Sequence, residues 1–402
     1  MNRKFIHVVL LLGLFLLACS GESTQTSPTP VSSDITPAVT FSPANSVTST
    51  APVAVTTSTP NSSPISTPTP ATQITPIPNT PAPSNTPIPT PTPTLPPHPP
   101  DPIRGINVDK SDSAHTAPLQ DLGFTWIQTF LPPTVNLAPF KVLYRISLGD
   151  AVSGKEEDIA QFSRVVEGVA IEYGEFIDAY SVGNEVNLSR EWKGQQPNPK
   201  LYARLLTIAY ARLKQADPTA LVVSAGLAPT GGDGPGFADD LSYARAILDA
   251  GAGNAMDVYG FHPYGFAYAP EQDPADKNVR NGLTFRRAEL HRKLMEEYGL
   301  AQKPMWATEF GWIIDPKEEG VNCNWPDFDW QKVSRQTQAK YMNAAFQYAK
   351  QNWPWMERMF LWNYDFSVSP LYPDKCEQMK WFSLLDESGQ ARPSVYELRK
   401  VN

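Results

Sequence analysis

The sequence predicts an α/β protein: a (β/α)8 TIM barrel preceded by a disordered Pro/Thr/Ser-rich linker. Three observations carry this. Eight short strand-like runs follow one another between residues 104 and 364. Amphipathic segments separate most of them. The polar residues able to do chemistry collect where the runs end. The runs are rich in Val, Ile, Phe, Tyr and Trp and mostly do not alternate in polarity, as expected of strands covered on both faces.

The 402-residue chain opens with an export signal. Arg3 and Lys4 supply positive charge, and Val8 to Leu17 is almost wholly apolar, too short to span a bilayer comfortably. The run ends Leu16-Leu17-Ala18-Cys19, which resembles a bacterial lipobox. That resemblance implies a signal peptide over 1–18 and lipidation at Cys19, whose acyl chains would anchor the protein to a membrane outside the cytoplasm. The plainer reading is an ordinary signal cut near Ala18. With only three cysteines in the chain, one at this position favours lipidation. Residues 19–100 then form a tether. From residue 22 they are mostly Pro, Thr and Ser, which bury too little apolar surface to offset ordering entropy. Their Thr-Pro and Pro-x-Pro steps favour a semi-stiff polyproline II spacer.

The catalytic-size domain, 101–402, follows. Its strand candidates are Arg104–Val108, Thr125–Phe130, Val142–Leu148, Ala179–Asn184, Leu221–Leu227, Asp257–His262, Met305–Glu309 and Met359–Tyr364. Glu156–Tyr173 is helical by pattern, with Ile159, Phe162, Val166, Val169 and Ala170 three and four apart. Leu201–Gln215 repeats the pattern and stops at Asp217-Pro218. Asp239–Ala250, Phe285–Tyr298, Ser334–Asn352 and Ser394–Lys400 are similar. Ala117–Leu122 is barely a helix, and Thr134–Pro139 hardly one. An open doubly wound sheet is the rival fold, but no Gly-rich phosphate loop follows the first strand.

Net charge is −8 and no basic run follows the signal, so nucleic acid is not an expected partner. Cys323 and Cys376 are the only cysteines of the domain. In an oxidising compartment they are expected to pair as a disulfide, contributing roughly 2–4 kcal/mol. No His/Cys/Asp cluster has metal-ligand spacing, so neither a metal nor another cofactor is expected. The protein is expected to be a monomer.

Two short apolar runs end on an acid: Ala179-Tyr-Ser-Val-Gly-Asn-Glu185 and Pro304-Met-Trp-Ala-Thr-Glu309. Two carboxyls at neighbouring strand ends suit glycosidic bond cleavage, one protonating the leaving oxygen and the other attacking the sugar. His262 and Tyr264 share one face of an extended segment, and Trp362 ends the eighth run. Val-Gly-Asn-Glu, His-Pro-Tyr-Gly and Trp-Ala-Thr-Glu-Phe-Gly-Trp, in that order, resemble clan A retaining glycoside hydrolases of the "4/7" type, family 39 and family 5 cellulase-like members.

The resemblance implies Glu185 as acid/base, resting protonated with a raised pKa, and Glu309 as nucleophile. It implies that Asn184 holds the sugar 2-hydroxyl, Tyr264 orients Glu309, His262 bonds the acid/base or substrate, and Trp362 floors the site. Clan members commonly place an Arg near the end of strand two. Here that strand reads Phe124-Thr-Trp-Ile-Gln-Thr-Phe130, and Arg145 of strand three is the substitute. Trp312, Trp325 and Trp330 offer either sugar-stacking surfaces or plain loop packing. His262 and Trp362 also have structural readings, and Asp365 reads as a loop carboxylate. The activity so implied is retaining hydrolysis of a β-linked poly- or oligosaccharide. The alternatives are a transglycosidase, a non-catalytic carbohydrate-binding surface lipoprotein on the same scaffold, and a structural cell-wall lipoprotein.

Overall fold

The computed structural model describes residues 96–400. The expected signal, Cys19 and nearly all of the tether lie outside the described residues. All eight expected strands form: β1 Arg104–Asn107, β2 Trp126–Thr129, β3 Lys141–Ile146, β4 Ala179–Val182, β5 Leu221–Ser224, β6 Tyr259–Phe261, β7 Met305–Phe310 and β8 Met356–Leu361. They make one parallel sheet in the order β5-β4-β3-β2-β1-β8-β7-β6. Its two end strands meet through the parallel bridges Val223–Val258 and Leu227–Phe261. Ser224 N donates to Val258 O at 3.1 Å and His262 N to Leu227 O at 3.2 Å, so the sheet closes on itself as a (β/α)8 barrel.

Around it run α1 Ser113–Thr116, α2 Glu156–Tyr173, α3 Pro199–Ala216, α4 Asp240–Asp249, α5 Ala288–Glu297, α6 Arg335–Asn352 and α7 Pro393–Leu398. Their starts follow from capping chemistry. Asn198 accepts from Leu201 N with Pro199 at the first helical position, Asp239 accepts from Ser242 N, and Ser334 accepts from Thr337 N. As the weak pattern implied, the β1–β2 link holds only the four-residue α1 and a 3-10 turn, and the β2–β3 link holds no helix. β8 departs from expectation, starting at Met356 because Met305 pairs with it there.

The strands are apolar on both faces because each face has its own partner. Trp126, Leu143, Ala179, Val223, Val258, Trp306 and Phe360 fill the barrel interior. Gly105 makes room for Phe360: a Cβ on it would come within 2.6 Å of that ring. Residues of the opposite face, such as Ile106, Ile127, Val142, Tyr180, Val182 and Val222, pack outward with the helices. The expected Cys323–Cys376 disulfide is formed, 53 residues apart in sequence. It joins the segment after β7 to the segment after β8.

A buried ionic cluster supports the loop after β5. Asp240 is fully buried at the start of α4 and accepts from Arg287 Nε at 2.7 Å and His291 Nε2 at 2.8 Å. It also accepts from Thr230 N and Gly231 N at 3.1 Å. These bonds hold the carboxyl far below the usual carboxylate range despite burial. His291 Nδ1 lies 2.9 Å from the Tyr259 hydroxyl, so the cluster ties that loop to α5 and β6.

Candidate active site

A cavity of about 300 Å³ opens at the C-terminal ends of the strands. Glu185, Glu309, Asn184, Tyr264, Trp362 and Arg145 all line it. In a barrel every strand delivers its last residues to this face, so these side chains, scattered in sequence, become neighbours.

Glu185 reaches the cavity through a sharp exit from β4. Gly183 has φ 81° and Glu185 itself φ 38°, a conformation that costs a non-glycine residue energy. The turn is fastened by Glu185 N donating to Gly226 O at 2.8 Å. Glu309 is still within β7 and needs no such turn. Each carboxylate is about 95 % buried. One oxygen of each, and one ring nitrogen of His262, all lie within 4.8 Å of one another.

His262 is the hinge of this group. Its Nδ1 stands 3.2 Å from Glu185 Oε1 and 3.6 Å from Glu309 Oε2. Gly226 leaves the space for it: a Cβ there would sit 2.1 Å from His262 Nε2 and 2.4 Å from Thr308 Oγ1. Burial pushes the imidazole pKa down to about 4, against the opposing pull of Glu309. The ring is therefore neutral at pH 7, with a proton on only one nitrogen. This has a stability consequence. The unfolded histidine binds a proton below about pH 6.5, whereas the folded one resists until about pH 4. Stability should be complete above pH 6.5 and fall through that window by up to about 3 kcal/mol. Urea unfolding at pH 7 and pH 4.5 measures it; His262→Gln should flatten the dependence, and an unchanged slope would refute the assignment.

Glu309 is held from two sides. The Tyr264 hydroxyl donates to its Oε2 at 2.7 Å, and Arg145 Nη1 lies 3.7 Å from its Oε1. Burial beside Glu309 pushes the Tyr264 phenol well above its ordinary value, so it remains a donor. β3 ends at Ile146, which brings Arg145 to the strand end rather than mid-strand. Its guanidinium rests 4.3 Å above the Phe130 ring, just past β2. An arginine on the third strand, braced by an aromatic after the second, thus supports Glu309.

Trp362 is nearly buried, with the Phe130 and Phe366 rings edge-on at 5.9 and 4.8 Å. Its peptide to Asn363 is cis. Asn184 donates to Glu191 Oε1 at 3.4 Å. Trp312 does not reach the cavity, contrary to its expected role in substrate binding. It is fully buried, donates to Tyr268 O at 2.8 Å, and packs where a Gly265 side chain would otherwise be. It therefore supports the Tyr264 loop from behind. Trp325 packs beside the disulfide and donates to Cys376 O, while Trp330 stacks on Phe266. Asp365 accepts from Asp109 N and Lys110 N and pairs with His115, so it is a loop carboxylate as read. Asn107 donates to Thr308 O and Leu361 O, tying β1 to β7 and β8.

Sequence reasoning missed Arg190, Glu191, Gln331, Tyr372 and Glu377, which also line the cavity. All sit in loops or short 3-10 turns, where no periodicity flags a residue. Arg190 is the most consequential, because its Nη2 donates to Glu185 Oε2. Of the loop after β5, Ala228, Pro229 and Thr230 line the cavity.

The Glu185, His262 and Glu309 atoms are close enough to share a divalent cation. Their outer edges are already held by Arg190, Arg145 and Tyr264. Two guanidiniums compensate the carboxylates and would repel a second cation, so the donor set fits a metal poorly.

No protein-family profile matches the chain, and no curated protein sequence does. Solved structures do share its fold. A family 39 glycoside hydrolase from Bacteroides cellulosilyticus WH2 superposes with TM-score 0.53 at 19% identity, covering 74% of this chain and 63% of that one. A glucosidase from Croceicoccus marinus gives 0.52 at 13% identity, covering 76% and 68%. A Bacteroides uniformis β-glucuronidase 2, covalently bound to cyclophellitol-6-carboxylate aziridine, gives 0.50 at 16%, covering 74% and 35%. The chain spans about 63% of the length of the first of these. The barrel fold is thus one that glycoside hydrolases use, in agreement with the clan A resemblance of the motifs.

Proposed function

We propose that this barrel is a retaining O-glycoside hydrolase acting on a β-linked poly- or oligosaccharide. One observation carries the reading: Glu185 and Glu309 stand at the ends of β4 and β7 with carboxylate oxygens within 4.8 Å, in a cavity. Retaining enzymes hold their carboxyls about 5–5.5 Å apart, whereas inverting ones leave about 6.5–9.5 Å for a water.

In the first step a Glu309 oxygen attacks the anomeric carbon as its bond to the leaving oxygen breaks. Glu185 gives its proton to that oxygen. In the second step a water oxygen attacks the same carbon, its proton passes to Glu185, and the bond to Glu309 breaks. Two inversions return the original configuration. Tyr264 and Arg145 hold Glu309 for attack, and neutral His262 spans the two carboxyls. Asn184 is the candidate ligand of the sugar 2-hydroxyl, and Trp362 the apolar floor. A sugar hydroxyl replacing water would make the same site a transglycosidase. Anchoring through Cys19 would hold the domain at a membrane surface outside the cytoplasm.

The test is stereochemical. Proton NMR of an aryl β-glycoside digest should show the β-anomer of the free sugar first, with the α-anomer appearing only by mutarotation. First appearance of the α-anomer would replace this mechanism with inversion, and no turnover of any sugar, with glycan binding intact, would favour the binding protein.

A further inference from the structure

Four carboxylates line the main cavity, and three of them are committed to protein partners. Glu185 contacts Arg190 and His262, Glu191 contacts Arg190 and Asn184, and Glu309 contacts Tyr264 and Arg145. The fourth, Glu377, is half-buried, and its side chain has no hydrogen-bond or ion-pair partner among the described residues. Its free oxygens are not a sign of a loose loop. The neighbouring Cys376 is bridged to Cys323, and its carbonyl accepts from Trp325 Nε1 at 2.9 Å. On the other side Glu377 O accepts from Lys380 N at 3.2 Å, and Met379 O accepts from Asn363 Nδ2 at 2.9 Å. A charged acceptor that is fixed yet unpaired is organised in advance for a ligand.

A donor waits on the same wall. Gln331 comes from the segment after β7, which the disulfide joins to the segment carrying Glu377. Gln331 lines the cavity and is 3% exposed, and its amide nitrogen is buried with no acceptor. This wall adjoins the nucleophile. Tyr372, just before Glu377, stacks on Phe366, which meets Trp362 edge-on. Burial raises the Tyr372 phenol pKa, Glu377 raises it further, and Glu309 adds a smaller push. Both carboxylates therefore lie near one ring.

On the reading of Glu309 as nucleophile, we propose that Glu377 is a specificity residue: it accepts hydroxyls of the sugar that Glu309 attacks and restricts that unit to a neutral sugar. Sugar hydroxyls both donate and accept, so they satisfy Glu377 and Gln331 together. A uronate would set another negative charge against Glu377, and the two arginines of the lining already face carboxylates. The ammonium of an amino sugar would pair with Glu377 but offers Gln331 no acceptor.

The test compares kcat/KM on 4-nitrophenyl β-glycosides of glucose, galactose and xylose with those of glucuronic acid and glucosamine. The best neutral sugar should exceed the other two by about 100-fold, the worth of a charge-assisted hydrogen bond gained and a repulsion avoided. Glu377→Ala should cost that sugar about 30-fold. Glu377→Gln keeps the shape and removes the charge, so the preference for it over the glucuronide should narrow by about tenfold. A merely structural Glu377 would leave that ratio unmoved, and melting curves check that both variants fold. Preference for the glucuronide or the glucosaminide, or a ratio unchanged in Glu377→Gln, overturns the assignment. Equal cleavage of these glycosides by Glu309→Ala, or no cleavage even of their 2,4-dinitrophenyl counterparts, sinks the parent reading and this one with it.

Discussion

Glu309→Ala should abolish turnover while leaving the barrel folded. Loss of an attacking nucleophile removes the covalent route altogether, and a fall of about 10⁵-fold in kcat/KM is expected on activated aryl glycosides. The substitution removes one of two close carboxylates and leaves Arg145 and the Tyr264 hydroxyl without their acceptor. The repulsion relieved and the unpaired donors created oppose each other, so the melting temperature should shift little. Added azide should restore activity by entering the vacated space and attacking the anomeric carbon directly, giving a glycosyl azide of inverted configuration. That product assigns the nucleophile independently of rate. Substantial residual activity without azide would mean that Glu309 is not the attacking group.

The barrel was legible because its signal is repeated. Eight apolar runs of similar length, each bounded by turn residues, are hard to misread as a set even though β6 alone, with three residues, would be unconvincing. α2 appears at its expected boundaries because its apolar spacing and its flanks agree. The strand ends were less legible. Where β4 stops depends on Gly183 and on the positive φ of Glu185, which Gly226 O fastens from just past β5, and no local pattern contains that.

The candidate site divides along the same line. Glu185, Glu309, His262, Tyr264 and Trp362 announce themselves because strand ends in a barrel must converge. Trp312 follows the same logic and fails it: two residues past the β7 end, its ring turns back beneath Gly265, and burial of a large aromatic outweighs its exposure to a sugar. Arg145 shows the reverse case. Sequence register left it mid-strand, and only the pairing of β2 with β3 brings it beside Phe130, and closure of the barrel beside Glu309. Arg190 comes from a one-turn 3-10 segment and Glu377 from a loop, whose side chains acquire a direction only once the strands fix their anchor points.

Glu185→Ala should behave differently from Glu309→Ala, and the difference is diagnostic. An acid matters in proportion to how badly the leaving group needs a proton. For phenyl glycosides or oligosaccharides, kcat/KM should fall by about 10²–10⁴-fold. For a 2,4-dinitrophenyl glycoside, whose phenolate leaves unaided, it should hardly change. The second step still lacks its base, so a glycosyl-enzyme should accumulate and kcat should drop together with KM. Azide, which needs no base, should then accelerate turnover and give a glycosyl azide of retained configuration, opposite to the product of Glu309→Ala. The basic limb of the pH profile should also vanish, because that limb reports loss of the proton from Glu185. Arg190, 3.6 Å from Glu191, keeps a carboxylate partner in the variant, so the cavity should hold its shape. A uniform loss across leaving groups, with no azide effect, would show instead that Glu185 serves to bind the sugar or shape the site, and the proton would have to come from elsewhere.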